Sequence, residues 1–225
     1  MSTIIITGAS GNLGTAVVNR LIQDEHNLIA IDRSPGITNR AVESIHLDLQ
    51  DELGTDTRIG QLIEKHPDLD AAVMLVGGFA MGSIENTGLS DIDKMINLNF
   101  KTAYNMVRPL LPYFFKRFVG GHFILMGARP YMHPMQAKDM VAYSLSKSLV
   151  FKLAEIINAE GKGKNVGATV IVPSIIDTKV NREAMPDADY STWIPPERIA
   201  DSIAYTLSEA GRMMRGTVIK LYNRS

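Results

Sequence analysis

Three features of the 225-residue sequence predict a single α/β domain built on a doubly wound parallel sheet of about seven strands. Short β-branched runs alternate with longer helical patterns from end to end, as βα units around a parallel sheet require. A glycine-rich turn lies between the first strand and the first helix. No repeat, low-complexity segment or linker divides the chain, so one domain is expected over residues 1–225, with a small loop around 174–193.

The elements follow in order. Residues 3–7 read as the first strand and 12–24 as a helix, with Leu13, Val17, Leu21 and Ile22 at near-helical spacing. Residues 27–31 and 44–47 are two more strands, and 56–65 a helix. Residues 71–76 are apolar throughout, as a strand covered on both faces should be. Ser90 has the character of an N-cap, with Asp91 and Asp93 in the first turn of a helix running towards Arg108. Pro109 and Pro112 are expected to bend or restart that helix. Strand 122–126, a long helix over 140–160, strand 167–172, a helix over 196–210 and strand 216–221 complete the chain.

Composition excludes several classes of function. Hydrophobic residues make up 45% and the net charge is −1, which rules out intrinsic disorder and gives no general attraction to nucleic acid or anionic membranes. With no cysteine there is no disulfide, thiol nucleophile or thiolate metal site. The five histidines show no paired ligand spacing, so no metal is expected. The start carries no basic flank and no long apolar stretch, and no apolar run approaches a membrane span, so a soluble, cytoplasmic protein is expected.

The turn reads Thr7-Gly8-Ala9-Ser10-Gly11-Asn12-Leu13-Gly14. Glycines at such a junction permit a tight turn, close approach of backbone to a pyrophosphate, and close helix–strand packing, and the helix N-terminus adds free N–H groups and a positive dipole end. Glycines also end strands for structural reasons alone; the place of this turn at the first strand–helix junction favours a dinucleotide site. Asp32 ends the second strand, where an acid can accept from an adenosine ribose and repel a 2′-phosphate, so NADH is preferred over NADPH. Arg33 beside it softens that preference, so NADP is not excluded; a solvated turn acid is the alternative for Asp32 alone.

Tyr143 and Lys147 stand one helical turn apart, on one face. Tyr104 with Arg108 and Tyr113 with Arg117 repeat the spacing as surface pairs, so the place of the first pair in the chain carries its reading. A phenol is a poor acid–base group at neutral pH, and an adjacent ammonium is expected to lower its pKa. Lys147 also has donors for ribose hydroxyls.

Taken together, Thr7 to Gly14, Asp32, Asp48, Asn99 and Tyr143 with Lys147 resemble the short-chain dehydrogenase/reductase family over essentially the whole chain. The resemblance implies a Rossmann fold, an NAD(P)-dependent oxidoreductase, Tyr143 as proton donor or acceptor, Lys147 as the residue that holds ribose and tunes the phenol, and Asn99 as support for a relay water. It places a dinucleotide against Gly8, Ser10, Gly11, Asn12, Leu13 and Gly14, against Asp32 and Arg33, and against Asp48 and Leu49 beside the adenine. Gly77 and Gly78, and Pro173, Ile176 and Thr178 at the nicotinamide carboxamide, complete that contact. A small-molecule substrate and a homodimer or homotetramer are implied, the latter through the two long helices whose apolar faces are otherwise simply core.

The sequence departs from the family pattern in three places. Ser174 stands where glycine is usual, Asn12 replaces a glycine of the turn, and Ala128 stands where the family has a catalytic serine. Alanine cannot donate to a substrate carbonyl. Gly77-Gly78-Phe79-Ala80, Gly127-Ala128-Arg129 and residues 185–193 resemble the dihydropteridine reductase branch, which works without the serine. That resemblance implies NADH-dependent reduction of a conjugated substrate such as quinonoid dihydropterin. Action on an ordinary carbonyl or hydroxy compound, and non-catalytic dinucleotide binding by a regulatory protein, are the alternatives. The methionines at 132, 135 and 140 suit either an apolar wall or gap-filling, and Tyr190 and Trp193 either a closing loop or packing.

Overall fold

The computed structural model describes residues 2–34 and 42–224. Seven parallel strands form one sheet in the order β3-β2-β1-β4-β5-β6-β7. In chain order these are β1 (Thr3–Thr7), α1 (Asn12–Gln23), β2 (Asn27–Asp32), β3 (Val42–His46), α2 (Glu52–Lys65) and β4 (Leu69–Met74). Then come α3 (Leu89–Ile96), a π-helical turn (Asn97–Lys101), α4 (Thr102–Lys116), β5 (Gly121–Met126), and two short helices, α5 (Arg129–Met132) and α6 (Pro134–Ala137). The chain closes with α7 (Val141–Glu160), β6 (Val166–Pro173), α8 (Lys179–Ala184), a 3-10 turn (Tyr190–Thr192), α9 (Pro196–Leu207), α10 (Glu209–Arg212) and β7 (Val218–Leu221).

Alternation along the strands feeds two cores. On β1, Ile5 joins Ile59, Leu62, Met106, Phe114 and Ile157 beneath α2, α4 and α7. Its neighbours Ile4 and Ile6 pack with Val17, Leu21, Ile199 and Ile203 of α1 and α9 on the opposite face. Each buried side chain of this size contributes about 1.5–3 kcal/mol, so the double covering fixes the register of the central strands.

The structure departs from four local expectations. Pro109 and Pro112 lie inside α4 and do not interrupt it. A proline inside a helix costs about 3 kcal/mol, and burial of Met106, Leu110 and Phe114 on one face outweighs it. Ser90 is not the N-cap of α3. Gly88 is, and Asp91 accepts from its N–H at 3.0 Å. β4 stops at Met74 rather than at residue 76, although Leu75 N still donates to Thr7 O at 3.2 Å. The helix expected over 196–210 breaks at Ser208, whose hydroxyl caps α10 by accepting from Gly211 N.

β1 has β2 on one side and β4 on the other, so the winding reverses there and a crevice opens beyond the carboxyl ends of β1 and β4. Both glycine-rich segments, Gly8 to Gly14 and Gly77-Gly78, leave the sheet at that crevice.

Candidate active site

The glycine turn is built for backbone approach. Gly8 has φ +67° and donates to Ile31 O at 2.9 Å. A Cβ on Gly14 would stand 2.1 Å from Gly8 O and 2.6 Å from Ala9 O, so only glycine lets α1 sit this close to the turn. Gly11 caps α1 with no side-chain hydrogen bond, and the first turn holds no acidic residue. The amides of Asn12, Leu13 and Gly14 are thus left to whatever anion enters.

Asp32 is buried, and its carboxylate is tied back to that turn. It accepts from Ser10 N at 3.1 and 3.2 Å and from Ser10 Oγ at 2.8 Å. Arg33 is exposed beside it. Leu47 N donates to Asp32 O at 2.9 Å, which draws the ends of β2 and β3 together and sets Asp48 near the same rim. Asp48 is exposed and accepts from Gln50 N, while Leu49 is buried with its carbonyl held by Asn105 Nδ2 at 2.9 Å.

Across the crevice, Asn99 is turned inward by the π-helical turn between α3 and α4. It is buried, and its amide grips the Gly78 peptide from both ends: Oδ1 accepts from Gly78 N at 2.8 Å and Nδ2 donates to Gly78 O at 3.1 Å. Nδ2 also donates to Ser146 Oγ at 2.9 Å, and Ser146 Oγ donates to Tyr143 O at 2.7 Å. One polar chain therefore ties the loop after β4, the π turn and α7 together. The glycines make this possible, since a Cβ on Gly77 would stand 2.7 Å from Asn99 Oδ1 and 3.5 Å from Lys147 Nζ.

Lys147 is buried, and its Nζ donates to Met126 O at 2.8 Å at the end of β5. The ammonium lies 5.9 Å from the centre of the Tyr143 ring, and Phe79 meets that ring edge-on at 5.1 Å. Among the described residues no side chain hydrogen-bonds the Tyr143 hydroxyl. The expectation that the ammonium lowers the phenol pKa is not met. Burial pushes Tyr143 up to about 12 and Lys147 down to about 8, desolvation of the charged form being the cause for each. At neutral pH the phenol holds its proton.

The far wall comes from the loop after β6. Pro173 ends the strand, Ile176 pairs with Ile194, and Thr178 accepts from Asn181 N to cap α8. Asp177 forms a two-point ion pair with Arg182, Arg182 stacks on Tyr190, and Tyr190 packs against Trp193 at 4.8 Å. Trp193 is only 3% exposed, so it anchors the loop from below rather than closing over a ligand. Met135 is exposed, while Met132 packs against the core and Met140 precedes α7. Ala128 is buried directly after β5, where it presents a methyl group and no donor.

The sequence profile of the family described as short chain dehydrogenase matches residues 2–189. The chain belongs to the short-chain dehydrogenases. It is an NAD(P)-dependent oxidoreductase of that family. It is 26% identical over 231 residues to the dihydropteridine reductase of Dictyostelium discoideum, covering 99% of this chain and 95% of that protein. Among solved structures, the ligand-free aldohexose dehydrogenase of Thermoplasma acidophilum superposes with a TM-score of 0.87 at 18% identity, over 99% of this chain and 93% of the other. ElxO with NADP bound gives 0.88 at 18%, over 98% and 97%. Both establish the shared fold.

In this short-chain dehydrogenase the Gly14 clearance, the uncapped start of α1 and the Asp32 carboxylate fit the adenosine and pyrophosphate of a dinucleotide. Among the described residues no group of three or more acidic or histidine side chains is placed to hold a metal, and no helix is long and apolar enough to cross a membrane. Sequence reasoning missed Ser146 as the partner of Asn99 and Met126 O as the partner of Lys147. The position of Ser146, one residue before Lys147 on the same helix, was the available signal.

Proposed function

We propose that this dehydrogenase uses NADH to reduce a small conjugated substrate, with quinonoid dihydropterin the leading candidate. Ala128 carries the reading. With a methyl group where a carbonyl-orienting hydroxyl is otherwise needed, the reducible group must be one that a single donated proton activates, as in an imine-like conjugated ring. The relationship to the Dictyostelium enzyme points the same way.

The residues divide the work. The turn amides of Asn12, Leu13 and Gly14 bind the pyrophosphate, while Asp32 faces the adenosine ribose and disfavours a 2′-phosphate. Asp48 and Leu49 border the adenine, and Pro173, Ile176 and Thr178 the carboxamide. Lys147 hydrogen-bonds the second ribose, and Gly77 and Gly78 leave room for it. When bound, the nicotinamide supplies hydride. Tyr143, protonated at neutral pH, donates the proton directly or through a water anchored at Asn99. Phe79 and Met81, both exposed at the mouth, offer apolar surface to a flat ring. Exposed Tyr104, Leu145 and Ile156 on α4 and α7 suit a homodimer or homotetramer, and the expected compartment remains the cytoplasm.

The test is cofactor consumption with enzymatically generated quinonoid dihydropterin, run with NADH and NADPH beside a panel of ketones and alcohols. The reading expects dihydropterin to be reduced best, with NADH favoured. Faster turnover of an ordinary ketone or alcohol would replace it with carbonyl chemistry.

A further inference from the structure

Arg129 follows Ala128 directly, and the mechanism above does not use it. Its guanidinium lies over the Tyr222 ring at 4.9 Å, a placement that fixes a cation by attraction to the ring face. Its Nε is buried with no hydrogen-bond partner. Among the described residues no carboxylate forms an ion pair with it, whereas Arg182 and Arg212 each hold an aspartate at two points. A half-buried guanidinium with a donor left unmatched is costly unless something supplies an acceptor.

Its place in the fold says what that acceptor accompanies. Met126 pairs with Ile171, and Pro173 with Leu221, so Ala128, Ser174 and Tyr222 leave adjacent strands along one edge of the sheet. Ser174 binds the next segment through N to Leu221 O at 2.8 Å and Oγ to Tyr222 O at 3.2 Å, which holds in place the Tyr222 that carries Arg129. Lys147 Nζ holds Met126 O, two residues before Ala128, so the same strand end carries both cations. Arg129 therefore leaves the same strand end that Lys147 holds, one residue after Ala128. A planar guanidinium matches a carboxylate at two points, and its charge persists at every working pH.

We infer that Arg129 is a specificity-determining residue that takes a carboxylate of the substrate, so that the preferred acceptor is a flat conjugated ring bearing an acidic substituent. This rests on the reductase reading above for the reaction, but the binding it describes does not depend on turnover.

The experiment is calorimetric titration of the full chain with benzoate and with its neutral counterpart benzamide, in wild type, Arg129→Gln and Arg129→Lys. Benzoate is expected to bind the wild type more tightly than benzamide, to weaken about 10- to 100-fold in Arg129→Gln, and to recover in part in Arg129→Lys. Benzamide affinity is expected to stay level in all three, which also reports an intact pocket. Equal benzoate affinity in wild type and Arg129→Gln, or no preference for benzoate over benzamide, overturns the inference. So does a parallel loss of both ligands. Failure of the reductase reading would appear separately, as no NADH oxidation by any conjugated acceptor while the benzoate difference persists.

Discussion

The two halves of the crevice are made of different material. The β1–β2 side is built from backbone: glycines without clearance for a Cβ, uncapped amides, and an aspartate bound into the turn it supports. The β4–β6 side is built from side chains that reach across elements, with Asn99 on Gly78 and Ser146, Lys147 on Met126, and Phe79 against Tyr143. A backbone site tolerates little change and binds a constant ligand. A side-chain site can exchange one donor, such as a serine for Ala128, and acquire new chemistry while its frame stays in place.

The contrast can be broken by paired glycine variants. Gly77→Ala would push a Cβ into Asn99 Oδ1, which cannot swing away because it is held by Gly78 N. A misplacement of this kind costs about 10²-fold in kcat, a larger loss than in cofactor affinity, in steady-state kinetics alongside cofactor titration. Gly14→Ala should do the reverse. Overpacking against Gly8 and Ala9 carbonyls costs about 1–3 kcal/mol of stability, read by denaturant unfolding, and weakens cofactor binding before it touches the chemical step. If both variants lose the same property, the division between the halves is wrong.

Acidity sharpens the side-chain half. Burial holds Lys147 at about 8, below its ordinary value, so its ammonium is present below that pH and lost above it. The phenol at about 12 stays protonated throughout. The account therefore expects kcat/KM for NADH to be level below pH 8 and to fall about tenfold per unit above it, as the free enzyme's profile reports. A smaller effect belongs to the backbone half. Asp32→Ala should shift the NADH-to-NADPH preference about tenfold towards NADPH, close to the lower end of a charge repulsion of about 1–4 kcal/mol. An unaltered ratio removes that role from Asp32.

The backbone half was the more legible in sequence, for a physical reason. Glycine spacing states a local steric need, and β-branched runs at period two state a covered strand, so β1, α1, β2 and the turn were read close to their observed limits. Tyr143 and Lys147 were legible as a pair, yet their acidities were not, because burial by distant elements sets them. The π turn left no signal, since the apolar spacing through residues 97–101 reads the same for a continuous helix. Pro109 and Pro112 misled because each local cost is visible in sequence while the buried face that overcomes it is tertiary.

The central claim is that Tyr143 delivers a proton beside a bound dinucleotide. Single-turnover reduction of quinonoid dihydropterin by Tyr143→Phe, with NADH affinity measured on the same preparation, tests it most directly. The account predicts unchanged NADH affinity and a rate lower by about 10²–10⁴. Turnover equal to wild type would contradict it.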